Sequence, residues 1–298
     1  MRTEADILGA SQFRTLPRNA LASNMGLRWH VGAFGIDMFA EFAAQNPQRR
    51  FMLVTLISDG WLAYDCDTFI YLGGMQAAST ALLNQAGFDG WAAIAEIQTL
   101  DESKKDLGRI LLPNVHAIAW TMDPTIELAA LERQLQASPE LKSATSAATV
   151  TIEHRADTSP TNLMAYLLKN AALAKRRVPS RHSLSGLALG DCALRPASAV
   201  RQHEILSRIY LSELIFAGGE GLPLKDQLDH EVDRCAPFHR GELSTDAAAM
   251  FWKRLRQRHG RDEHYYPVAI DRSPAQLPCE SPISLAASRF YRPTRSAA

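Results

Sequence analysis

The sequence predicts an α+β fold in which an antiparallel sheet packs on helices. Three observations carry that expectation. Runs at 51–57, 91–99, 110–121 and 149–152 are short and either continuously apolar or alternating, which is strand character. Stretches at 72–86, 124–136 and 159–170 carry apolar residues at helical spacing and fall between those runs. A polar loop, Asp101-Glu102-Ser103-Lys104-Lys105-Asp106, joins the second and third runs, as in an antiparallel pair.

Taken in order, residues 1–30 mix Pro, Asn, Ser and Arg with little periodicity and read as an arm or short helix. Val31, Phe34, Met38, Phe39 and Phe42 then keep helical spacing up to Asn46-Pro47. Residues 51–57 form the first strand, residues 59–67 a loop, and residues 72–86 a helix ended by Gly87. In the second strand Trp91, Ala93, Ala95 and Ile97 take one face, while Ile94, Glu96 and Gln98 take the other. The third strand follows at 110–121. Pro124 opens a helix to about Gln136 with Leu128, Leu131 and Leu135 on one side. After the fourth strand, Ser159-Pro160 starts a helix carrying Leu163, Tyr166, Leu167 and Asn170.

The resulting order over 51–180, β-α-β-β-α-β-α, suits a ferredoxin- or RRM-like antiparallel sheet. Residues 1–50 are an N-terminal arm and helix, 181–270 an accessory helical region, and 271–298 a disordered tail rich in Pro, Ser and Arg. Within the accessory region, 199–216 reads as one or two helices, Ala217-Gly218-Gly219-Glu220-Gly221 as a turn or hinge, and 245–259 as an amphipathic helix.

Composition narrows the class. Of the 298 residues, 46% are hydrophobic, enough for one large or two modest cores. The 32 basic and 32 acidic residues cancel, so any nucleic-acid surface must come from local clustering. No apolar run approaches the ~18–20 residues that span a bilayer, and Met1 to Asp6 lack a signal-peptide pattern. Cys66, Cys192, Cys235 and Cys279 form no Cys-x-x-Cys pair, which fits a reduced, cytoplasmic, non-membrane protein.

Two segments carry chemistry. In Pro113-Asn114-Val115-His116-Ala117-Ile118, strand alternation puts Asn114 and His116 on one face. In Tyr166-Leu167-Leu168-Lys169, helical spacing puts Tyr166 and Lys169 on one face. Together with Arg50-Phe51-Met52-Leu53-Val54-Thr55-Leu56 as a first strand, these resemble the HUH endonuclease superfamily, the rolling-circle replication initiators above all. The resemblance covers residues 51–177. It departs at Asn114, where the family has a histidine.

What the resemblance implies is a nuclease that nicks and rejoins a single DNA strand through a 5′-phosphotyrosine. Glu96, Asn114 and His116 would hold Mg²⁺ or Mn²⁺, ions that accept oxygen ligands and tolerate imidazole. Tyr166 would be the nucleophile. A free phenol titrates near ~10, so a neighbouring cation such as Lys169 helps it attack at neutral pH. Lys175, Arg176, Arg177 and Arg181 follow the tyrosine helix and would hold the backbone of single-stranded or hairpin origin DNA. A second basic cluster, Lys253, Arg254, Arg256, Arg258 and Arg261, would grip flanking duplex. No phosphate-binding Gly-x-x-x-x-Gly-Lys-Ser/Thr loop is present in the sequence, so unwinding would fall to a host helicase.

Alternatives follow from the same residues. A transposase or mobilisation relaxase would use identical chemistry. A catalytically inactive, DNA-binding replication regulator is what Asn114 favours, since a neutral amide binds divalent ions less tightly than imidazole. His154, at the end of the fourth strand, is a candidate substitute ligand. Asp226, Asp229, His230, Glu231, Asp233, Cys235 and His239 crowd one segment that reads as a solvated helix face and loop, with no spacing that demands an ion.

Overall fold

A computed structural model describes residues 21–64, 69–104, 108–141, 149–154, 159–168, 173–179, 187–193, 202–203, 205–236, 269–270, 272 and 274. The fold is α+β, a curled, mostly antiparallel sheet with helices packed on it. Helix α1 (Met25–Gln45) opens the described chain, with the Asn24 side chain accepting a hydrogen bond from Leu27 N at 3.1 Å. Strand β1 (Arg50–Ile57) follows, then the short strands β2 (Ala63–Tyr64) and β3 (Phe69–Ile70). Helix α2 (Leu72–Gln85) closes with Gly87 at φ 74°, a left-handed position that glycine takes without penalty.

The two longest strands are β4 (Gly90–Lys104) and β5 (Gly108–Thr121). Helix α3 (Leu128–Gln136), strand β6 (Val150–Glu153) and helix α4 (Pro160–Leu167) come next. Strands β7 (Leu173–Pro179) and β8 (Leu187–Ala193) precede α5 (Leu211–Leu214), β9 (Ile215–Gly219), α6 (Leu222–Cys235) and β10 (Ala269–Ile270).

The sheet order is β6-β1-β5-β4-β7-β8, so the four strands foreseen from the sequence stand as fourth, first, third, second. Neighbours among these four are all antiparallel. Beyond them the sheet grows on the outer edge of β4, and there the accessory-region expectation is corrected. Strand β9 pairs with Gly90–Ile94 antiparallel, and β7 pairs with β4 in parallel at Thr99 and Leu100. Between these two partners the Gln202 side chain donates to Ile97 O at 2.8 Å, satisfying an edge carbonyl that neither strand reaches. The described part of 181–270 thus supplies two strands, β8 and β9, to the main sheet as well as the helices α5 and α6. Ala217 to Gly219, expected as a hinge, are strand.

Three smaller corrections concern boundaries. Helix α3 starts at Leu128, with Pro124 in the preceding turn, because the Asp123 carboxylate holds Thr125 through its N–H (2.7 Å) and hydroxyl (2.6 Å). Strand β4 runs to Lys104, so the loop expected at 101–106 is shorter. Within the expected loop at 59–67, β2 pairs with β5. The 1–20 arm, the helix expected at 245–259, its basic cluster and most of the 271–298 tail lie outside the described residues.

Helix α1 covers one sheet face. Its Phe39 and Phe42 meet Phe51 of β1 and Trp120 of β5 with ring centroids 5.0–6.3 Å apart. On the opposite face Trp91 donates to Asn84 of α2 at 3.1 Å and packs edge-on against Phe216 of β9 at 5.7 Å. Helix α3 guards the outer edge of β6, where Glu132 accepts the Ile152 N–H at 3.0 Å. Buried apolar residues from α1, the sheet, α4 and α6 form one continuous core, so the boundaries expected at 50 and 181 do not divide the packing.

Candidate functional site

Register fixes the site. Across the β4–β5 pair Glu96 faces Asn114 and Ile94 faces His116, and across β1–β5 Thr55 faces His116 and Ile57 faces Asn114. Because side chains alternate, Thr55, Glu96, Asn114 and His116 emerge on the sheet face that α1 and α4 cover. Three of them are deeply buried, Glu96 and Asn114 at 7% exposure and His116 at 6%.

His116 is held from both sides. Its Nε2 lies 3.0 Å from Glu96 Oε2 and its Nδ1 lies 2.9 Å from Thr55 Oγ1. A carboxylate at Glu96 accepts the Nε2–H, leaving Nδ1 to accept the Thr55 hydroxyl proton. Asn114 Oδ1 is buried with no hydrogen-bond partner among the described residues, an arrangement that costs about 1–3 kcal/mol and calls for an explanation.

Tyr166 reaches this group from α4. Ser159 caps that helix through its Oγ, 3.3 Å from Asn162 N, and Pro160 occupies its first turn. The phenol ring meets the His116 ring edge-on with centroids 5.2 Å apart. Tyr166 is 38% exposed, so it stands between the buried polar group and solvent. The end of α4 is fixed by Leu168, which lies close over Gly35 of α1; a Cβ at Gly35 would be 2.4 Å from Leu168 Cδ1.

The helix ends at Leu167 with Leu168 as its cap. Lys169, expected one turn past Tyr166, lies outside the described residues, as does Arg181. Lys175, Arg176 and Arg177 sit on strand β7, with Lys175 level with Leu100, four residues along β4 from Glu96. His154 is set apart. Its Nδ1 bonds Phe51 O at 3.0 Å, at the end of β1 away from the Thr55 level, so it does not join the group as a substitute ligand.

Sequence reasoning missed Arg28. This arginine, in the first turn of α1, is buried, donates to Ala22 O at 3.3 Å, and sits within electrostatic reach of Glu96. Burial pulls its pKa below the usual arginine value, and the Glu96 charge works against that shift. Beside them is a small cavity of about 10 Å³, lined by Arg28, Ile94, Glu96, Leu167, Gln202 and Leu206, with room for about one water. Glu96, His116 and the Tyr166 ring are joined through His116 as one packed cluster.

The donor set can be tested against a divalent ion. Octahedral coordination at about 2.1 Å leaves neighbouring ligands about 3.0 Å apart, and Nε2 and Oε2 stand 3.0 Å apart. An Nδ1–H donated to Thr55 would free the Nε2 lone pair, and Asn114 Oδ1 offers an unused acceptor. The three donor types fit, as does the spacing of the Glu96–His116 pair; the nearby Arg28 charge opposes a cation.

Compared with known proteins, this chain matches no family model, no curated protein and no solved structure.

Proposed function

We propose that this protein nicks and rejoins a single DNA strand as a replication initiator, with Tyr166 as the nucleophile. The observation that carries the reading is the contact between the Tyr166 ring and His116, itself bonded to Glu96. The phenol oxygen attacks a backbone phosphorus, a P–O bond to Tyr166 forms, and the bond to the 3′ oxygen breaks. The proton lost by the phenol ends on the released 3′ hydroxyl. Reversal rejoins strands without another energy source. An Mg²⁺ or Mn²⁺ ion held by Glu96, His116 and Asn114 would stabilise charge developing on the phosphate. Thr55 orients the imidazole, and the β7 bases Lys175, Arg176 and Arg177 hold single-stranded or hairpin origin DNA beside the site, with a host helicase unwinding it. A transposase or mobilisation relaxase would use the same step on another substrate.

A second reading, a non-catalytic replication regulator that binds DNA on this fold, is favoured by Asn114 and by the buried Arg28 beside Glu96. One experiment separates them. Wild type incubated with single-stranded origin oligonucleotides and Mn²⁺ is expected to give a covalent adduct on a denaturing gel, and Tyr166→Phe none. DNA binding without an adduct in wild type selects the regulator. An adduct that survives Tyr166→Phe moves the nucleophile elsewhere.

A further inference from the structure

Away from the Glu96 cluster, α6 turns two potential ligands inward. Glu231 and Cys235 are one helical turn apart on the same face, and both are more than nine-tenths buried. They meet His30 of α1. His30 Nε2 is 2.7 Å from Glu231 Oε1, Cys235 Sγ is 3.2 Å from the same oxygen, and all three donor atoms lie within 4.8 Å of one another. We infer that His30, Glu231 and Cys235 form a binding site for a zinc-class divalent ion that clips α6 to α1.

The chemistry of the set supports this. Imidazole nitrogen, carboxylate oxygen and thiolate sulfur are the three donors zinc takes, and a tetrahedral site needs them about 3.3–3.8 Å apart. Shifts of less than ~1 Å bring the cluster to that spacing. Arg234 orients the carboxylate, its Nε bonding Oε2 at 2.7 Å and its Nη2 contacting Oε1. In the bound form Arg234 keeps Oε2 while Oε1 turns to the ion. The His30 side chain is 40% exposed, so a fourth ligand position faces solvent. On binding, the Cys235 thiol releases its proton to solvent as the sulfur–metal bond forms, and the His30–Glu231 hydrogen bond is exchanged for two metal bonds.

The two helices are already close, with Leu228 Cδ2 only 3.2 Å from where a Gly35 Cβ would lie. The clip holds α1 two residues after Arg28, the residue set against Glu96. The sequence spacing alone demanded no ion because the third donor comes from a helix about two hundred residues earlier.

Cobalt(II) reports the site without reference to DNA. Titrating the full chain, stripped with chelator, is expected to give one equivalent of a thiolate-to-cobalt charge-transfer band, displaced by Zn²⁺. Glu96, Asn114 and His116 contain no sulfur, so the band is independent of the proposed nuclease centre. Cys235→Ser should abolish the band, and a combined Cys66→Ser/Cys192→Ser/Cys279→Ser variant should keep it. His30→Gln, at a partly exposed position, should stay folded by circular dichroism and weaken binding at least tenfold, with loss of the zinc-induced rise in Tm. No band in wild type, a band that persists in Cys235→Ser, or unchanged affinity in His30→Gln overturns the site.

Discussion

The buried Arg28 guanidinium lies within electrostatic reach of Glu96, and His116 is hydrogen-bonded to the same carboxylate, before any ligand is considered. Removing the Glu96 charge leaves the buried guanidinium less compensated, a loss of up to about 3 kcal/mol. Glu96→Gln is therefore expected to lower unfolding free energy by up to about 3 kcal/mol, measured by urea denaturation. Adding Arg28→Met should recover more than half of that loss, since the stranded charge goes with it. If the double variant is no more stable than Glu96→Gln, Arg28 and Glu96 are not coupled. Asn114 and His116 were legible as one strand face from alternation alone. Arg28 was not, because nothing local in α1 says which strand it will meet.

At the scale of elements, the glycines in and just after β9 show why a stretch that reads as a hinge is mostly strand. A Cβ at Gly218 would lie 2.4 Å from Trp91 Cζ2, and one at Gly221 2.0 Å from Trp91 O. Gly219 has φ 56° and would place a Cβ 2.4 Å from Asp89 O. The glycines are there for close approach to β4 and its tryptophan. Gly218→Ala is expected to cost about 1–3 kcal/mol through overpacking, read as a lower denaturation midpoint with an unchanged m-value. For β7, replacing Lys175 and Arg177 with Ala should flatten the salt dependence of single-stranded DNA binding. The slope of log K against log salt should fall by about 1.4 if both contact phosphate. An unchanged slope would remove β7 from the interface.

Most buried apolar side chains among the described residues share one core, and the acid response follows from a largely buried histidine beside it. Burial pushes His203 down to about 4, and its Nε2 is buried without a hydrogen-bond partner among the described residues. The unfolded chain binds that proton near the ordinary value of ~6.5, so between 6.5 and 4 the unfolded state holds more protons. Stability is therefore lost as pH falls through that window, by on the order of 2–3 kcal/mol. Tm measured from pH 7 to 4 should drop accordingly, and His203→Gln should flatten the drop. No helix among the described residues is long and apolar enough to cross a membrane.

By itself the sequence determined the α+β class, the four strands β1, β4, β5 and β6, the cap of α4, and the shared face of Asn114 and His116. These depend on periodicity, capping and turn chemistry, which act over a few residues. Only the tertiary structure decided that β9 and β7 divide the outer edge of β4 and that Arg28 opposes Glu96. It also set the Tyr166 ring against His116 and brought His30 to Glu231 and Cys235. Each of those is a meeting of segments far apart in the chain, fixed by strand register and helix packing across one core.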